Sequence, residues 1–164
     1  MANLEEVSGY PLSRERQEAL FALQRVCVVN WTTEAGWPVG VTHRYIEHGG
    51  KIWVTTTSQR PRVAALRKRP QSSVVISGDG TELGADVTLT LKTTCVVRDD
   101  RETLQWFFEE FAKQVVPDSP DAQKGMISML DTKRRVLLEL TPVGAISYDG
   151  TLHAEAIGRE GITE

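Results

Sequence analysis

Four consecutive hydroxyl-bearing residues, Thr55, Thr56, Thr57 and Ser58, are followed within four positions by Arg60 and Arg62. Five cations and no carboxylate fall between Arg60 and Arg69, in a chain whose formal net charge is −3, so this basic cluster is local. Hydroxyls, the free N–H groups of a helix start and the forked donors of arginine are the groups that hold a phosphate. The same cations also suit the last turn of an exposed helix, where the helix dipole favours positive charge. Cys27 and Cys95 stand isolated in apolar runs, and His43, His48 and His153 share no ligand spacing. Buried structural thiols and no metal site are expected.

The chain has 164 residues, 40% of them hydrophobic and 25% charged, which suits one domain that buries a core without disulfides or metals. No apolar run reaches membrane-spanning length, and the opening Met-Ala-Asn-Leu-Glu-Glu is acidic where a signal peptide is basic. A cytoplasmic protein without membrane contact is expected. Nucleic acid is not an expected partner, because the net charge is negative and no aromatic residues interleave with the basic cluster.

The elements that must position the cluster follow from periodicity and punctuation. Residues 1–12 read as an N-terminal arm, 13–150 as one domain and 151–164 as a polar, flexible tail. Ser13 can cap a helix running to about Arg25. From Val26 the chain alternates as strands: Val26–Thr33, a turn at Gly36, Val39–Ile46, a turn at Gly49-Gly50, then Lys51–Thr56. The basic segment follows as a short helix closed by Pro70. Strands over Ser72–Ser77 and Ala85–Arg98 flank a glycine-rich loop. Asp100 and Ser119 cap two further helices, the first with Leu104, Phe107, Phe108, Phe111 and Val115 at helical spacing. Val136–Leu140 forms a last strand, continued by Val143–Gly150. The expected architecture is mainly β within an α+β class: a split antiparallel β-barrel of about six strands with three flanking helices.

This order of parts resembles the pyridoxamine 5′-phosphate oxidase-like split-barrel superfamily, in particular its flavin- and deazaflavin-dependent oxidoreductases. The residues that carry the resemblance are Thr32-Thr33, Gly36 with Pro38, Gly50 with Ile52-Trp53, Thr56 with Arg60 and Arg62, Leu66-Arg67-Lys68 with Pro70, Lys133-Arg134-Arg135-Val136, and Ser147-Tyr148-Asp149. The resemblance implies an FMN-binding split-barrel type of fold and a homodimer with cofactors in the grooves between barrels. It places the cofactor phosphate at Arg60 and Arg62, with Thr56 first and Ser58 second among the hydroxyls. Only half of Thr55, Thr56 and Thr57 can face inward, since alternate strand residues point to opposite sides. Thr42 and His43 fall on the strand that lines the ring in the family, with His43 the one candidate for a catalytic role. Tyr148 falls where relatives wall the ring with an aromatic.

The departures narrow the expectation. No arginine- and histidine-rich substrate motif follows Asp149, so vitamin B6 oxidation is not expected. The run Gly40–Tyr45 keeps a single cation where the family's oxidases have more. The resemblance therefore implies an oxidoreductase using deazaflavin coenzyme F-420, or FMN, to pass hydride to a small conjugated organic substrate. The alternative is a flavin, haem or tetrapyrrole carrier without turnover.

Overall fold

The β-branched run after Val26 opens strand β1 (Val26–Thr32), and a turn at Gly36, where φ is +84°, returns the chain as β2 (Pro38–Arg44). A left-handed conformation of this kind is open to glycine at little steric cost, which lets the hairpin close tightly. In this computed structural model, which describes residues 5–160, β3 (Ile46–His48), β4 (Lys51–Thr57), β5 (Gln71–Ser77), β6 (Val87–Arg98) and β7 (Arg135–Asp149) follow. The helices are α1 (Arg14–Leu23), α2 (Pro61–Lys68), α3 (Arg101–Val115), α4 (Pro120–Leu130) and α5 (Gly150–Glu160).

All pairings are antiparallel, and the seven strands run in the order β2-β1-β5-β6-β7-β4-β3. Consecutive strands β2 and β3 therefore occupy opposite edges of the sheet. Tyr45 alone connects them, so the sheet must curl until its edges approach, and the result is a split barrel. The barrel interior takes alternate residues of each strand, among them Val29, Ile52, Val54, Val74, Ile76, Leu89, Leu138 and Leu140. Leu20 of α1 packs into the same cluster. On the outer face, α3 and α4 bury Leu104, Phe107, Phe108 and Leu130 against Trp53 and Leu137. Each fully buried phenylalanine contributes roughly 1.5–3 kcal/mol by transfer from water.

The caps read from the sequence are present. Ser13, Asp100 and Ser119 accept hydrogen bonds from the backbone N–H groups of Arg16, Thr103 and Ala122. Three details differ from the sequence reading. The run expected as one strand over 39–46 is two, because Tyr45, 1% exposed, turns its ring into the core at the switch between edges. The last strand is a continuous 15 residues, in which a register shift opposite Lys92 and Thr93 absorbs the interruption at Pro142. Residues 151–160, expected as part of a flexible tail, belong to α5 (Gly150–Glu160), because the Asp149 carboxylate accepts from Thr151 N–H and caps it. The remaining tail, 161–164, and the first four residues of the arm lie outside the described residues. The rest of the arm is tied down: Leu12 is buried and the carbonyl of Tyr10 accepts from Asp149 N–H.

Candidate functional site

Alternation along β4 sends Ile52, Val54 and Thr56 to the barrel interior and Trp53, Thr55 and Thr57 to the outer face. Thr56 is 6% exposed, whereas the hydroxyl of Thr55 points at the carbonyl of Val136, 3.4 Å away. The chain leaves β4 through a turn in which Ser58 N–H donates to Arg134 carbonyl at 2.7 Å and Arg60 N–H to Thr57 carbonyl at 3.0 Å. Pro61 then occupies the first turn of α2, where its fixed φ and missing N–H are tolerated. Arg60 stands at the cap position with no side-chain cap bond, exposed to solvent.

Arg62 behaves differently. Its guanidinium lies over the Trp31 ring of β1, 5.5 Å from the ring centroid, and its Nε is buried without a hydrogen-bond partner. Burial, with the neighbouring Arg60 charge as a second cause, lowers its pKa from the ordinary value. Among the described residues no carboxylate forms an ion pair with Arg60 or Arg62.

His43 completes the group. It pairs with Cys27 across the β1–β2 ladder, which turns both side chains to the barrel side, and its Nε2 is buried without a partner. Burial first, and the Arg62 charge second, push its pKa down to about 4. The imidazole is therefore neutral at physiological pH. The partly desolvated Arg62 guanidinium over the Trp31 indole, and the neutral His43 imidazole whose pKa the Arg62 charge helps to lower, each keep a buried polar atom without a partner. Such groups favour an anion or a polar ring edge that restores the hydrogen bonds they lost on burial.

The remaining sequence candidates are dispersed. Thr42 neighbours His43 on β2 and faces the opposite, exposed side. Ser58 borders an open basin on the far side of α2 together with Arg67. Tyr148 donates to or accepts from His153 Nδ1 at 2.7 Å, and His153 stacks on Tyr10 at 4.5 Å between centroids. Tyr148 is thus bonded into the junction of β7, α5 and the N-terminal segment. The sequence reading missed Trp31 as the platform for Arg62. Its signal was the ladder spacing, since Trp31 lies four residues from Cys27 and hence on the same face of β1.

No protein-family model matches the chain, and comparison with curated proteins finds no match. Solved structures do match. A Listeria innocua protein named for pyridoxamine 5′-phosphate oxidase superposes with a TM-score of 0.62 at 14% identity, over 81% of this chain and 95% of that one. The haem storage protein HutZ of Vibrio cholerae gives 0.62 at 15% identity, over 82% and 94%. An F-420 reductase gives 0.57 at 13% identity, over 79% and 94%. The fold is the split barrel of pyridoxamine 5′-phosphate oxidase-like proteins. Its neighbours carry different functions, so the fold alone selects none of them.

Proposed function

We propose that this protein is an oxidoreductase that binds a flavin-type cofactor, deazaflavin coenzyme F-420 in preference to FMN, at the groove of a cytoplasmic homodimer. The observation that carries this reading is Arg62: a partly buried guanidinium with no carboxylate and an unused Nε, at the first turn of a helix. Such a charge is stabilised by an incoming phosphate. The residues fit that group. Arg62 and the exposed Arg60 hold the phosphate, Trp31 keeps the Arg62 guanidinium in place from its other face, and the Thr56 hydroxyl is the neutral donor of the preceding strand on the barrel side. His43, being neutral, orients a polar edge by hydrogen bonding and carries no charge into the site.

When bound, the cofactor supplies hydride transfer to a small conjugated organic substrate. The chain's part is to anchor, to orient and to keep water from the buried side, and none of its side chains acts as a nucleophile. The preference for the deazaflavin rests on cations beyond the first turn of α2, since Arg67, Lys68 and Arg69 can meet an acidic tail that FMN lacks. The likeness to a haem storage protein, with His43 Nε2 left without a partner, favours a second reading as a tetrapyrrole carrier.

Titration with FMN, the deazaflavin and haem, followed by absorbance and fluorescence, tests both. Arg62→Gln should weaken a phosphate-bearing cofactor roughly tenfold to a hundredfold, the worth of one charge-assisted hydrogen bond. Equal affinity of wild type and variant for every cofactor refutes the anchor. Haem binding that His43→Ala abolishes and Arg62→Gln spares would replace the oxidoreductase reading with the carrier.

A further inference from the structure

A second charged concavity lies on the side of α2 away from Trp31. It is an open basin of about 560 Å³ between α2, the start of α3 and the loop from α4 into β7. Arg67, Arg101, Lys133 and Arg135 line it, as do Asp99 and Asp131. Four cations against two carboxylates leave it net positive on a molecule whose formal charge is −3.

The pairing inside the basin is uneven. Asp131 is spent on a two-pronged bond with Arg101, at 2.5 and 2.7 Å. Asp99 lies 3.8 Å from Arg67, a loose pair with both side chains exposed. Arg135 gives its Nε to the carbonyl of Leu130 at 3.1 Å, which fixes the guanidinium while leaving its other donors unspent, and burial lowers its pKa. Among the described residues, the Lys133 ammonium and the Ser58 hydroxyl enter no hydrogen bond or ion pair. The two walls are held in register by the 2.7 Å bond from Ser58 N–H to Arg134 carbonyl. The basin is therefore a set of donors fixed at one rim by backbone bonds, with less negative charge than it needs.

We propose that this basin is a second anion-binding site, which takes a phosphate or clustered carboxylates through Lys133, Arg135, Arg67 and Ser58. Arg135 and Ser58 supply fixed donors, and Lys133 and Arg67 close over the ligand as mobile charges. The site stands independently of any cofactor at Arg62, and the same chemistry has two sources: a free small polyanion, or the acidic tail of a cofactor anchored on the other side of α2.

Calorimetric titration of the full chain with inorganic pyrophosphate at low salt tests the site. The double variant Lys133→Gln, Arg67→Gln should lose at least about tenfold in affinity, one charge-assisted hydrogen bond's worth. Lys124→Gln, which removes an exposed cation from α4 outside the basin, should bind as wild type does. Both changed side chains are exposed, and matching circular dichroism and melting curves establish that the variants fold. Absence of pyrophosphate binding to wild type, or equal losses in the basin and Lys124 variants, overturns the proposal. A γ-linked triglutamate peptide and F-420 form the second arm. If the double variant weakens F-420 and leaves FMN unchanged, the source is the cofactor tail; if it weakens pyrophosphate and leaves both cofactors unchanged, it is a free polyanion. Failure of the Arg62 anchor would appear as unchanged FMN affinity in Arg62→Gln, with pyrophosphate binding intact.

Discussion

Removing the charge from Arg16 should expose how much stability hangs on a single buried carboxylate. Asp149 is fully buried and receives Arg16 Nε at 2.9 Å and a second guanidinium nitrogen at 3.1 Å, joining α1 to the junction of β7 and α5. The pair is asymmetric: the Arg16 side chain is 30% exposed and that of Asp149 1%. In Asp149→Asn the arginine can turn to water, and the loss should be about 1.5 kcal/mol, the value of a charged hydrogen bond. In Arg16→Met the carboxylate has no such escape, and breaking a buried pair in this way costs about 3–5 kcal/mol.

The pH dependence separates the two further. Burial alone would raise the Asp149 carboxyl, but the Arg16 hydrogen bond and charge, with the N–H groups of Leu152 and Thr151, hold it below the usual carboxylate range. Its contribution in the wild type is therefore present above the unfolded value of about 3.9 and is lost as pH falls through the lower folded value. Without Arg16, burial dominates and the folded pKa rises above the unfolded one. The sign then reverses: the deficit of Arg16→Met is largest near pH 7 and shrinks toward about pH 4, as the carboxyl takes up a proton. Urea denaturation of wild type and both variants across this range measures it. A deficit for Arg16→Met smaller than that of Asp149→Asn, or one that does not change with pH, refutes the reasoning.

Two other outcomes follow from burial. The His43 ring resonances should titrate near pH 4 by NMR, and His43→Gln should remove part of the acid sensitivity between about pH 6.5 and 4, because a depressed imidazole contributes stability that is lost as the unfolded chain takes up its proton first. Cys27 and Cys95, both buried and both pushed up to about 12, should resist a disulfide reagent at about pH 8 in the native state and react together in denaturant. Fast labelling of either thiol in the folded protein would contradict their placement.

What could be read in advance divides along sequence separation. The hairpin at Gly36, the caps at Ser13, Asp100 and Ser119 and the inward turn of Thr56 all depend on residues within a few positions of one another, and each is written in local pattern. Glu139 illustrates the opposite. It is 3% exposed on the outer face of β7, held between Lys51 and Arg98, partners 88 and 41 residues away. Burial would raise its carboxyl, yet those two hydrogen bonds and charges keep it below the usual range. Nothing near Glu139 in the chain announces either partner. The site divides in the same way: a basic helix start after a hydroxyl-rich strand is visible in the sequence, but which way Arg62 turns depends on the rotation of α2 against β1. Helix α5 escaped notice because its Asp149 cap was absorbed into the strand, while its apolar residues, Leu152, Ala156 and Ile157, are few and half exposed.

Strand β7 also sets the order in which the molecule can be completed during synthesis. It lies between β4 and β6, and its partners on β4 are as many as 88 residues upstream, Ile52 opposite Leu140. Until it emerges from the ribosome, β4 has only β3 beside it, β6 has only β5, and the outer layer of α3 and α4 has no Leu137 to cover. The nascent chain must wait with two half-sheets and exposed phenylalanines, a state open to chaperones and to association with its own copies. Closure of the barrel therefore waits on residues 135–149, which must pair with strands made long before them, whatever the local stability of the earlier hairpins.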